Sequence, residues 1–110
     1  MDCIFCKIIA GELPSKKVYE DEKILAFYDI NPAAPVHIIV VPKLHIESLN
    51  GVNPENIDYI SQICLKIPEI AKELKWGYRV VTNIGADGRQ SVNHLHFHVL
   101  GGKKLSIDLG

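Results

Sequence analysis

With 110 residues the chain can build one core and little more, so a second subunit would add materially to its stability. Twelve basic and 13 acidic residues leave a formal charge of −1, and no basic run is longer than the pairs Lys16-Lys17 and Lys103-Lys104. That excludes tracking of a nucleic-acid backbone by bulk charge, and no apolar stretch is long enough to span a bilayer, so the expected partner is neither nucleic acid nor membrane.

Met1-Asp2-Cys3-Ile4-Phe5-Cys6 has an acid at position 2 and no signal-peptide core, which reads as cytoplasmic. The three cysteines, an odd number, argue against a disulfide framework. Asp2 is placed to cap a short helix running through Ala10, with Gly11 as its stop signal. Val18 to Tyr19 and Ile24 to Tyr28 read as strands around the polar turn Glu20-Asp21-Glu22. Two prolines make the segment from Asn31 to Pro35 a turn or loop, and the β-branched run from Val36 to Val41 suits a central strand that Pro42 ends.

Asn53-Pro54 signals a helix start. Ile57, Ile60, Cys64, Ile67, Ala71 and Leu74 then recur at helical spacing, which predicts an apolar stripe with Cys64 in the core. Pro68 predicts a kink or break near Lys66 to Ile67. Ile63 and Ile70 broaden the apolar face, which fits either ordinary core or a surface covered by a second subunit. Tyr78 to Ile84 and Asn93 to Leu100 form a hairpin around Gly85-Ala86-Asp87-Gly88. The sum is one α+β domain over residues 1–110, with a mainly antiparallel five-stranded sheet, a short N-terminal helix and one long helix.

His94-Leu95-His96-Phe97-His98-Val99 alternates at the period of a strand, so three imidazoles share one face and the apolar residues the other. Such a row has a use against an anion or a metal. On a straight strand the outer two lie about 13 Å apart at Cα. All three therefore cannot easily meet one zinc at bonds of about 2.0 Å, although a pair could. Nucleophilic attack at phosphorus fits better: a neutral ring nitrogen attacks, its tautomer fixed at the other nitrogen, while neighbouring donors hold the phosphoryl oxygens. Separately, Cys3 and Cys6 have the spacing of a zinc-binding pair, with His45 and His94 as candidate third and fourth ligands. A redox pair or two buried small apolar residues would explain the same spacing.

The histidine row with Gly85 to Asn93 before it and Gly101-Gly102 after it resembles the signature of the histidine-triad family, in particular its Hint branch. The resemblance extends to Phe5-Cys6-Lys7-Ile8-Ile9, Ala26-Phe27-Tyr28-Asp29-Ile30, Ala34-Pro35-Val36-His37 and Val41-Pro42-Lys43-Leu44-His45-Ile46, in the family's order. It implies a homodimer joined edge to edge. It also implies a purine nucleotide hydrolase, phosphoramidase-like, that acts at the α-phosphate of AMP-linked substrates through a nucleotidyl intermediate on His96. By the same match His98 contacts phosphate, His37 orients the nucleophile, and Asn83, Gln90 and Ser91 bond the phosphate or leaving group. Asp29 becomes the acceptor of the ribose hydroxyls, and Ile4, Phe5, Ile8, Phe27 and Ile30 the purine walls. Taken alone, Asp29 reads as a turn cap, Gln90 and Ser91 as loop residues, and the five apolar side chains as core. Bacterial relatives that carry the cysteine pair imply a structural zinc on Cys3, Cys6, His45 and His94, not required for the chemistry. A dimeric scaffold that binds zinc and nucleotide without turnover is the alternative; it would keep Asp29 and the pocket but not need His96.

Overall fold

In the computed structural model, which describes residues 3–108, five strands form one antiparallel sheet and two helices cover its opposite faces. The elements are α1 (Ile4–Ile9), β1 (Lys17–Glu20), β2 (Ile24–Tyr28), β3 (Val36–Pro42), a 3-10 turn at Leu49–Gly51, α2 (Ile57–Ile70), β4 (Arg79–Val81) and β5 (Phe97–Gly101). They lie side by side in the order β1-β2-β3-β5-β4. The α+β architecture is therefore the one expected.

β3 is central because its β-branched residues have both faces to fill. Ile38 and Val40 join Ile24, Ala26, Leu95, Phe97 and Val99 in the core beneath α2. Ile39 and Val41 point the other way, into a smaller cluster with Leu25, Phe27, Cys3 and Phe5 beneath α1. Ile39 stands opposite both Phe27 on β2 and His98 on β5, so this second face carries the histidine chemistry.

Several sequence expectations need correction. Cys3, not a carboxylate, occupies the cap position of α1, its thiol accepting the Cys6 N–H at 3.3 Å; Asp2 lies outside the described residues. Asn53-Pro54 does not open α2. The Asn53 side chain instead accepts from the N–H groups of Glu55 and Asn56, closing a turn ahead of the helix. α2 also runs past Lys66 and Ile67 to Ile70 without a break. Pro68 removes the donor to the carbonyl of Cys64, an exposed residue, while Ile63, Ile67 and Ala71 are buried on both sides of it.

Cys64 is exposed, contrary to the core position expected. The buried stripe is Ile60, Ile63, Ile67 and Ala71, and Cys64 stands about 100° around the helix from Ile63. Ile63 is fully buried and so is ordinary core, with Ile70 packed against its edge.

Candidate active site and metal centre

Only His98 of the histidine row lies within the ladder of β5; His94 sits in a bend and His96 in the extended residues that lead into the strand. The ladder stops at the Val40–Phe97 pair because β3 ends on Pro42, which has no N–H to offer. Other groups hold the lead-in. Leu95 N–H donates to the Ile46 carbonyl at 2.6 Å, and the Thr82 hydroxyl donates to the His96 carbonyl at 2.8 Å. Alternation survives, with Leu95, Phe97 and Val99 all in the α2 core and the rings on the other face. The rings of His96 and His98 are 5.0 Å apart, centre to centre.

Hydrogen bonds fix which nitrogen of each ring carries a proton. His96 Nδ1 lies 2.7 Å from the His94 carbonyl, which can only accept, so Nδ1 is the donor and Nε2 keeps its lone pair. The Ala33 N–H donates to His37 Nδ1 at 3.0 Å, which places the His37 proton on Nε2. His37 Nε2 in turn donates to His98 Nδ1 at 2.8 Å, leaving His98 with an Nε2–H donor. A lone pair and a donor thus sit on neighbouring rings. His37 was expected to orient the attacking ring; its partner is His98, and a backbone carbonyl orients His96.

Burial keeps these rings neutral. It lowers the pKa of His96 against the opposing pull of the His94 carbonyl and Asp29, and that of His37 against Asp29 alone. His98 is pushed down to about 4 by burial and then by the His96 and His37 rings. The 3.5 Å approach of Asp29 Oδ2 to His37 Nε2 is accordingly a contact with a neutral ring, not an ion pair near neutrality. Asp29, His37 and His98 lie close enough to surround a cation. The proton on His37 Nε2 occupies the position a metal would need.

His96 and His98 face a cleft of about 350 Å³. Its lining includes the expected Ile4, Phe5, Ile8, Phe27, Asp29, Ile30 and Ser91. Ile30 is 91 % exposed at the mouth, whereas Phe5 and Phe27 are buried and meet edge to face with centroids 5.7 Å apart. Tyr28, Ile39 and Val92 also line it, signalled only by following or alternating with residues already named, and Leu13, Pro14 and Ser15 line it with no sequence signal. Asn83 and Gln90 are not brought to this cleft. The Asn83 side chain donates to the Gly88 carbonyl; Gln90 accepts from the Gly85 N–H and donates to the carbonyls of Glu47 and Val92, so both brace the loop before the row. A Cβ at Gly88 would run into the Ile84 carbonyl, which is why that turn needs glycine.

The four proposed metal ligands converge. Cys3 Sγ lies 3.3 Å from His94 Nδ1, Cys6 Sγ lies 3.3 Å from His45 Nδ1 and 3.6 Å from His94 Nδ1, and all four ligand atoms fall within 4.8 Å of one another. Tetrahedral zinc with Zn–S near 2.3 Å and Zn–N near 2.0 Å needs sulfur–nitrogen edges of about 3.5 Å, so the group fits. His94 Nε2 donates to the Pro42 carbonyl at 2.9 Å, leaving Nδ1 free to ligate, the outer bond expected of a metal-bound histidine. Without a cation, burial and then the Cys3 thiol raise Cys6 to about 11; a bound cation reverses that balance. The trio His94, His96 and His98 does not form one site, since His94 belongs to this group and His96 bonds a carbonyl.

A row of neutral histidines over an apolar cleft, on a five-stranded sheet, defines a class to which other proteins belong. The family model described as "Scavenger mRNA decapping enzyme C-term binding" matches residues 2–107. "Protein HitA" of Neisseria gonorrhoeae is 47% identical over 102 residues, covering 91% of this chain and 95% of its own. A histidine triad protein from Clostridium difficile superposes with a TM-score of 0.93 at 54% identity, covering 99% of this chain and 97% of that one. A HIT family hydrolase from Clostridium thermocellum gives a TM-score of 0.93 at 43% identity, covering 98% and 96%. This chain belongs to the histidine-triad (HIT) family.

Proposed function

We propose that the protein is a purine nucleotide hydrolase that cleaves the bond between an AMP-like α-phosphate and an amine or related leaving group, through a nucleotidyl intermediate on His96. The observation that carries this reading is the His96 Nδ1–H bond to the His94 carbonyl, which presents an unprotonated Nε2 beside the His98 donor at the floor of the cleft. The hydrolase named among the relatives points the same way.

The purine would lie among Ile4, Phe5, Ile8, Phe27 and Ile30, with its ribose hydroxyls on Asp29. His96 Nε2 attacks phosphorus, forming a P–N bond as the bond to the leaving group breaks. His98 Nε2–H donates to a phosphoryl oxygen, and Ser91 supplies the proton that the departing amine requires. Water then breaks the P–N bond, releasing the nucleotide, restoring the neutral ring and returning a proton to Ser91. Zinc on Cys3, Cys6, His45 and His94 would tie α1 to the sheet and takes no part in these steps. Incubation with adenosine 5′-phosphoramidate should release AMP and ammonia. Binding of AMP by a chain that leaves the phosphoramidate intact would instead make the protein a nucleotide-binding scaffold.

A further inference from the structure

α1 serves two sites at once. Cys3 caps it and Cys6 lies on it, both in the metal group, while Ile4, Phe5 and Ile8 from the same turns wall the cleft. Phe5, between the two cysteines, meets the rings of His94 and His96 edge to face at 5.9 and 5.0 Å. A helix of six residues has no stability of its own. Among the described residues its backbone bonds reach only Cys3 and residues 10–13, none of them in the sheet. What fixes α1 over the sheet is therefore the apolar cluster around Phe5 and the contacts of Cys3 and Cys6 with His94 and His45.

The attacking ring is held differently. The carbonyl that orients His96 belongs to the His94–Leu95 peptide, and the N–H of that peptide donates to the Ile46 carbonyl at 2.6 Å. Neither hydrogen bond of that peptide is to a cysteine, and the His94 ring, whose Nδ1 meets Cys3 and Cys6, is also held by its Nε2 bond to the Pro42 carbonyl.

We infer that filling the Cys3–Cys6–His45–His94 group sets the affinity of the cleft for nucleotide, by fixing the wall that α1 supplies, and leaves the step at His96 unchanged. Metal and nucleotide then tighten each other's binding by one and the same factor. The inference rests on the reading of the cleft as a nucleotide site.

The test compares zinc-loaded and zinc-stripped protein. Stripping should raise the Kd for AMP and the KM for the phosphoramidate by roughly tenfold with kcat within about twofold, and saturating AMP should tighten zinc, measured against a chelating dye, by the same factor. Should stripped protein not stay folded, cobalt(II) in place of zinc provides a readout on folded protein. Its absorption bands should shift as AMP is added, with a midpoint at the AMP Kd. Equal AMP affinity with and without zinc, or cobalt bands unmoved at saturating AMP, would overturn the coupling. Failure of AMP to bind the loaded protein would overturn the nucleotide reading itself.

Discussion

His96 and His98 differ in what their free nitrogens can do, and substitution should separate them. His96→Ala should abolish hydrolysis of an AMP amide while AMP affinity stays within about tenfold, roughly 1.4 kcal/mol, because the ribose and purine contacts survive. His98→Ala should weaken both binding and turnover, since a donor to the phosphate acts in ground and transition states alike; isothermal titration beside a rate assay reads the two effects apart. Acid should act through the same rings. Their folded pKa values are lowered, so the unfolded chain takes up protons first: stability is intact above the ordinary histidine value of about 6.5 and declines as pH falls toward the His98 value of about 4. Turnover should be flat near neutrality and fall over the same window, and urea unfolding and initial rates across it check both. The row itself was legible because alternation is a property of sequence. The partner of His37 was not: it depends on the register between β3 and β5, and on the Ala33 N–H that sets the ring's tautomer.

Among the elements, α1 depends most on side chains at its own start. Replacing Cys3 and Cys6 together with serine should lower the melting temperature by several degrees while kcat at saturating substrate changes little, as a closed four-ligand site ties a short helix to the sheet and the phosphorus chemistry uses none of its ligand atoms. Calorimetry with and without a chelator measures this; a melting temperature indifferent to both changes would remove the metal from the account. The cysteine pair was legible from its spacing, whereas His45 and His94, 39 and 88 residues beyond Cys6, were joined to it by the family resemblance and not by local pattern. The limits of α2 were not legible. Its Asn53-Pro54 start signal is spent on a preceding turn, and its proline is carried by burial on either side, a tertiary effect that local pattern does not contain. Cys64 shows the same limit, since a stripe at three- and four-residue spacing is compatible with two adjacent helix faces and only packing selects Ile63 over it.

For the molecule as a whole, the burial left undone points outward. Leu65 is 68 % exposed on α2, Ile57 and Cys64 are exposed on the same helix, and β4 forms a sheet edge with Val80 open to solvent. A homodimer is expected to cover part of this surface, giving twice the chain mass by light scattering at micromolar concentration; the monomer mass would count against it. The central claim concerns the chemistry at His96, and trapping tests it most directly. In a single turnover with an AMP conjugate labelled at phosphorus, rapid quenching in base should leave acid-labile label on the protein, mapped by mass spectrometry to His96 and absent from His96→Ala. Hydrolysis that proceeds with no label on the protein, or continues near the wild-type rate in His96→Ala, would contradict the covalent mechanism.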